Sequence, residues 1–158
     1  MKNEAFQIKA IFENKNQLLP LLLIGDEDEQ MIRKYLENGI CYGLFEKEEI
    51  RAILVVSQQK ERIEIENLSV LTAYQKQGLG SQLLQAVCQM YAENEIVLGT
   101  DDVSGNVDFY EKNGFEVFKR EKNFFLEHYP RPLFENGVQL VDKIYLRRTV
   151  KDHGKGIK

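Results

Sequence analysis

The chain has 158 residues, of which 43% are hydrophobic and 29% charged, with 25 acidic against 21 basic side chains for a formal net charge of −4. That length suits one globular domain, and the composition excludes disorder, a collagen-like fibre and, with Cys41 and Cys88 the only cysteines, a disulfide scaffold. A mildly acidic chain is a poor prior for nucleic-acid binding, and no run reaches the roughly 20 apolar residues that span a bilayer. Met1-Lys2-Asn3-Glu4 opens no signal-peptide core, so a cytoplasmic protein with reduced cysteines and no membrane partner is expected.

Residues 5–12 set Phe6, Ile8, Ala10 and Phe12 at alternate positions, which predicts a strand with one buried face. Residues 16–24 are apolar around Pro20 and read as a helix, and Gly25-Asp26 stops it. A second helix is expected over residues 26–38, where Met31, Ile32, Tyr35 and Leu36 recur at helical spacing and Gly39 follows as a stop. The apolar runs 41–45 and 50–56 flank the charged turn Glu46-Lys47-Glu48-Glu49, which predicts an antiparallel hairpin. Residues 62–70 read as a strand with a fault in its pattern. Ile63 and Ile65 share one parity, while Leu68 and Val70 share the other. A β-bulge at Glu66-Asn67 repairs that phase slip, and so does a strand that ends near Asn67.

Residues 78–91 predict an amphipathic helix with Leu79, Leu83, Val87 and Met90 on its apolar stripe. A short buried strand at 95–99 follows, then a short helix at 104–112 stopped by Asn113-Gly114, and a strand beginning at 115–118. Residues 124–137 form a long aromatic segment, irregular by its prolines Pro130 and Pro132. A final strand is expected at 138–150, and 151–158 is a short basic tail. This order predicts an α+β, three-layer domain with a largely antiparallel sheet.

The strongest local signal is Gln75-Lys76-Gln77-Gly78-Leu79-Gly80-Ser81, between a strand and a helix. Glycines there let a ligand approach the backbone, and a helix N-terminus offers N–H groups suited to phosphate, with Lys76 adding a point charge. A Rossmann loop would need a third glycine, and a P-loop would need a Gly-Lys-Ser/Thr ending; neither is present. A pyrophosphate held by amides and a plain strand-to-helix turn both remain open on this loop alone.

Asn67-Leu68-Ser69-Val70, the Gln75-x-x-Gly78-x-Gly80 loop, the helix and strand after it, and Phe109-Tyr110-Glu111-Lys112-x-Gly114-Phe115 together resemble the GNAT superfamily of acetyl-CoA-dependent N-acetyltransferases, in its small, single-domain bacterial form. The likeness is strong over residues 50–120 and rests on element order in the flanks. It departs from the family where an Asn often stands seven residues before the Tyr: that position is Val103, and Asn106 lies four before Tyr110.

The resemblance implies a mixed, mostly antiparallel sheet of about six to seven strands flanked by about four helices. It also implies splayed central strands that admit the pantetheine arm of acetyl-CoA, the cosubstrate. Amides around Leu68, Ser69 and Val70 would hold that arm, and those of Gln75, Lys76, Gln77, Gly78, Leu79, Gly80 and Ser81 the pyrophosphate. Asn106 is carried as a further cofactor contact. Tyr110, beside the cofactor, would protonate the leaving thiolate. Glu64 and Glu66, on the polar face of the strand, are candidates for the base that takes the amine's proton. Each also has an ordinary reading: solvated strand residues for Glu64 and Glu66, and core packing beside Phe109 and Phe115 for Tyr110.

No metal is expected, since His128 and His153 lack ligand spacing, and neither cysteine stands out as a nucleophile. The acceptor would be a small-molecule or peptide amine, with the 124–137 loop shaping its pocket or serving as a packing flap or dimer contact. A monomer or a homodimer is compatible with this pattern. A non-catalytic acyl-CoA-binding or sensing module on the same fold is the alternative, and an interaction protein using the aromatic flap a third reading.

Overall fold

The computed structural model describes residues 6–148. The chain forms two compact units, one up to Lys60 with Glu64–Met90 added, the other of Glu61–Ile63 and the chain from Tyr91 on. Seven strands make a mixed sheet, as expected, and four helices have seven or more residues.

In the first unit, β1 (Phe6–Ile11), β2 (Ile40–Glu46), β3 (Glu49–Gln59) and β4 (Arg62–Val70) are neighbours in that order. The β2–β3 hairpin closes through Lys47 and Glu48, both with positive φ, as its expected charged turn requires. β1 pairs antiparallel with β2, but its buried face is weaker than the alternation suggests: Ala10 is exposed, and Phe12 lies past the strand at 76% exposure.

Between β1 and β2 the apolar stretch folds as a 3₁₀ turn (Lys15–Leu18) and α1 (Leu19–Gly25), with Pro20 in the first turn where its missing N–H is harmless. α2 (Glu29–Leu36) is capped by Asp28, whose carboxylate accepts the Met31 N–H at 3.1 Å. Lys15 Nζ donates to the carbonyls of Leu36, Glu37 and Gly39, closing the other end of α2. Leu18, Leu21, Leu22, Ile32 and Leu36 of this corner pack with Cys41, Ile53 and Val55 in one core cluster. α3 (Leu79–Met90) buries Leu79, Leu83, Leu84, Val87 and Cys88, whereas Met90, expected on the stripe, is 52% exposed at the helix end.

β4 corrects the expected phase slip. Its burial alternates without a break, with Ile63, Ile65, Asn67 and Ser69 buried and Glu64, Glu66, Leu68 and Val70 on the opposite face. The strand also runs on to Val70 rather than ending near Asn67, and its burial keeps one phase across Glu66-Asn67. The apolar phase changes because the last two buried positions are polar.

In the second unit β9 (Lys143–Arg148) pairs antiparallel with both β5 (Glu95–Asp101) and β6 (Glu116–Glu121). α4 (Asn106–Lys112) links β5 to β6. The segment expected to be irregular holds α5 (Phe124–His128) and a small hairpin of β7 (Phe134–Glu135) and β8 (Val138–Gln139), turned by Asn136 and Gly137 with φ of 52° and 81°. The single strand expected at 138–150 is therefore two, β8 and β9. Its last two residues and the basic tail at 151–158 lie outside the described residues.

Candidate functional site

The buried polar positions at the end of β4 are tied to the α1–α2 corner. Ser69 Oγ donates to Asn67 Oδ1 at 2.6 Å. Asn67 Nδ2 donates to the Leu22 carbonyl at 3.1 Å and to the Tyr35 hydroxyl at 3.0 Å. Tyr35 donates in turn to Asp26 Oδ2 at 3.2 Å. Burial, reinforced by the Asp26 carboxylate, pushes the Tyr35 hydroxyl far above the ordinary tyrosine range, so it stays protonated. Gly25 meets this cluster so closely that a Cβ there would stand 2.5 Å from Ser69 Oγ and 2.9 Å from Asn67 Oδ1.

With both side chains anchored, the backbone of β4 is fixed in direction. The Leu71 N–H donates to the Arg51 carbonyl of β3 at 2.9 Å. Peptide groups alternate sides along a strand, so the N–H groups of Leu68 and Val70 are aimed at the edge of β4 away from β3. The Val70 carbonyl accepts Gln75 Nε2 at 3.0 Å, which ties the loop back to the strand.

A 3₁₀ turn over Thr72–Tyr74 leads into the glycine loop, and the Arg51 guanidinium lies 4.2 Å above the Tyr74 ring. Lys76 and Gly78 adopt left-handed φ values of 65° and 86° and swing the chain into α3. The Gln82 N–H donates to the Gly78 carbonyl at 3.0 Å, which opens the helical ladder. The amides of Leu79, Gly80 and Ser81 precede that bond and lie at the positive end of the helix. No atom lies within 4 Å of where a Cβ on Gly78 would stand, so the loop presents an open face. An anionic, strand-like ligand such as the pyrophosphate and amide-bearing arm of a CoA thioester fits this backbone.

Glu64 and Glu66 stand on the half-buried face of β4 with Leu68 and Val70. Glu66 Oε2 accepts the Ser57 hydroxyl at 2.6 Å, and Glu64 Oε1 accepts Gln59 Nε2 at 3.2 Å. In the second unit Tyr110 is buried in α4 at 8% exposure, edge-on to Phe109 and Phe115 at centroid distances of 5.1 and 5.7 Å. Asn106 opens α4, with Nδ2 donating to Thr100 Oγ1 at 3.1 Å. The helix starts two residues later than its sequence suggests because Asp101 holds the preceding loop. Its carboxylate accepts the N–H groups of Val103 and Ser104 and the Ser104 hydroxyl, and Gly105 turns at a φ of 93°.

Cys41 and Cys88 are both buried, and burial raises the Cys41 thiol's pKa, the opposite of what a nucleophile needs. His128 lies in α5 with its ring 4.4 Å from that of Phe124 and Nε2 3.9 Å from Glu121 Oε2. Among the described residues no cluster of three His, Cys, Asp or Glu is placed to hold a metal, and no helix is long and apolar enough to cross a membrane. Sequence reasoning missed the Tyr35–Asp26–Asn67 network. The only trace of it was the loss of apolar character at Asn67 and Ser69, which reads as a phase slip until the buried partners are seen.

The glycine loop after β4 thus delivers the chain into the N-terminus of α3, a place suited to a phosphate. The Acetyltransferase (GNAT) domain family matches residues 37–117. A Bacillus subtilis protein, "Uncharacterized N-acetyltransferase YvbK", is 32% identical over 151 residues, which cover 92% of this chain and 97% of that one. The structure is similar to that of a GNAT family acetyltransferase from Elizabethkingia anophelis with acetyl-CoA bound, with a TM-score of 0.86, 32% identity and coverage of 93% and 99% of the two chains. A Bacillus subtilis acetyltransferase in complex with CoA follows at a TM-score of 0.82, 30% identity and coverage of 92% and 99%. The chain belongs to the GNAT acetyltransferase family, and it is an acyltransferase that takes its acetyl group from acetyl-CoA.

Proposed function

We propose that the protein acetylates a primary amine by direct attack of the amine on the thioester while both substrates are bound. The observation that carries this reading is the loop from Lys76 to Ser81, with left-handed turns at Lys76 and Gly78 and an open helix N-terminus. On this reading the amides of Leu68 and Val70 receive the pantetheine arm, that of Ser69 being turned toward β3 like Leu71's, and those of Gln75 through Ser81, with Lys76, hold the pyrophosphate. One donor aimed at the developing oxyanion is worth about 3–4 kcal/mol. Acetyl-CoA supplies the activated acetyl group; the chain's own residues manage the protons.

A lysine-like amine, with a pKa near 10.4, costs about 4–5 kcal/mol to deprotonate at neutral pH. Glu64 and Glu66 are the candidate bases, directly or through water, and the Ser57 hydroxyl fixes the orientation of Glu66. The amine nitrogen bonds to the acetyl carbon, the carbon–sulfur bond breaks, and the thiolate takes a proton from Tyr110. Asn106 is carried from the family as a cofactor contact. The family match takes in parts of both compact units and the relatives are covered almost end to end, which supports a single acetyltransferase domain. The two buried thiols, which form no disulfide, suit a reducing, cytoplasmic setting. The acceptor is a small-molecule or peptide amine.

Acetyl-CoA consumption across an amine panel tests the proposal. Turnover with at least one amine is expected, and Tyr110→Phe, which keeps the packing on Phe109 and Phe115, should lower kcat by about a hundredfold or more. Tight CoA binding with no turnover on any amine would establish a non-catalytic binding module instead. An unchanged kcat in Tyr110→Phe would remove that residue from the chemistry.

A further inference from the structure

α5 and the chain after it enclose a groove that the acetyl-donor chemistry leaves unused. Its volume is about 140 Å³, and Phe125, Tyr129, Pro130, Arg131, Pro132 and Gln139 are among the residues that line it. A space of that size holds one ring or one branched aliphatic group. The rings of Phe125 and Tyr129 lie 5.7 Å apart at an angle of 35° and form an apolar wall. The Phe125 N–H donates to the Val141 carbonyl at 3.0 Å, and the Leu140 N–H to the Leu133 carbonyl at 2.8 Å, which fasten both ends of the segment.

Arg131 stands between two prolines. Pro130 has its own φ fixed, and Pro132 confines Arg131 to extended backbone, so the guanidinium grows from a stiff root. Among the described residues no carboxylate pairs with Arg131, whereas Arg33, Arg51, Arg120 and Arg147 each have an acidic partner. A forked cation without a counter-ion, next to a ring-sized apolar space, matches a ligand with a carboxylate close to an apolar group.

We propose that this groove binds a carboxylate that carries an apolar or aromatic group, with that group against Phe125 and Tyr129 and the carboxylate on Arg131. The ring and carboxylate follow from the groove itself.

Calorimetric titration of phenylalanine, phenylalaninamide, phenethylamine and 3-phenylpropionate into the full chain tests the groove without needing turnover. The two carboxylates should bind about tenfold or more tightly than the amide and the plain amine, and Arg131→Gln should erase that preference while CoA affinity stays the same. Equal binding of acid and amide, or a preference that survives in Arg131→Gln, overturns the proposal.

Discussion

A single methyl group is too much at Gly25. A Cβ there would stand 2.5 Å from Ser69 Oγ, 2.9 Å from Asn67 Oδ1 and 3.1 Å from the Leu68 carbonyl, two of which already hydrogen-bond each other. Gly25→Ala should gain up to about 1 kcal/mol of helix propensity but lose about 1–3 kcal/mol to overpacking, so a net loss is expected as a lower urea midpoint at unchanged slope. Tyr35 gives the same cluster a pH signature. Its folded pKa lies above the value of 10.0 it has when unfolded, mainly through burial and then through Asp26. Below pH 10 both states hold the proton, and its contribution is complete. Above pH 10 the unfolded chain releases the proton while the folded one keeps it, so stability falls by up to about 1.4 kcal/mol per pH unit. Urea unfolding at successive pH values from 9 to about 11 should show that slope, and Tyr35→Phe should flatten it by the contribution of one proton. An equal slope in both proteins would show that the hydroxyl titrates normally.

Hairpin turns show how far elements were legible. The β2–β3 hairpin follows from two apolar runs around a charged turn, yet that turn holds Lys47 and Glu48 at φ of 51° and 73°, where side chains with a Cβ are strained by roughly 1–2 kcal/mol each. Lys47→Asn with Glu48→Gly should therefore raise stability by about 1 kcal/mol or more, read as a higher urea midpoint. A lower midpoint would mean that the Lys47 and Glu48 side chains do more for the turn than their backbone strain costs. The β7–β8 hairpin carried the stronger signal, Asn136-Gly137, but its strands are two residues long and too short for alternation to register, so it read as loop. Burial of α3 was legible, Met90 at its end excepted, because a periodic stripe over a 12-residue helix averages over local noise. The start of α4 was not, because it is set by one carboxylate, Asp101, whose three hydrogen bonds hold the residues before the helix. β4 is the instructive failure: a rule that equates inward with apolar misplaces Asn67 and Ser69, since polar side chains with complete hydrogen bonding are stable inside.

For the molecule as a whole, the loop proposed to hold the donor was readable because it is made of backbone. Glycine positions and a strand-to-helix junction dictate where amides point, and these leave marks in the sequence at Gly78 and Gly80. The groove proposed to take a carboxylate is made of side chains brought together by the segment after β6, and only its aromatic content and prolines were visible beforehand. The two sites should separate in a stability measurement. Acetyl-CoA at a hundred times its dissociation constant should add about 2.7 kcal/mol, a rise in Tm of roughly 5–11 °C for a chain of this size. Gly78→Val places a branched side chain at a φ of 86°, a strain of roughly 1–2 kcal/mol, while meeting no neighbour within 4 Å. It should fold with a modestly lower Tm and lose most of the acetyl-CoA shift, because the side chain fills the open face of the loop. Arg131→Gln should keep the shift in full, since its groove takes no part in holding the donor. A folded Gly78→Val protein with the full shift would falsify the loop as the pyrophosphate site, and a shift lost in Arg131→Gln would join the two sites that the reading keeps apart.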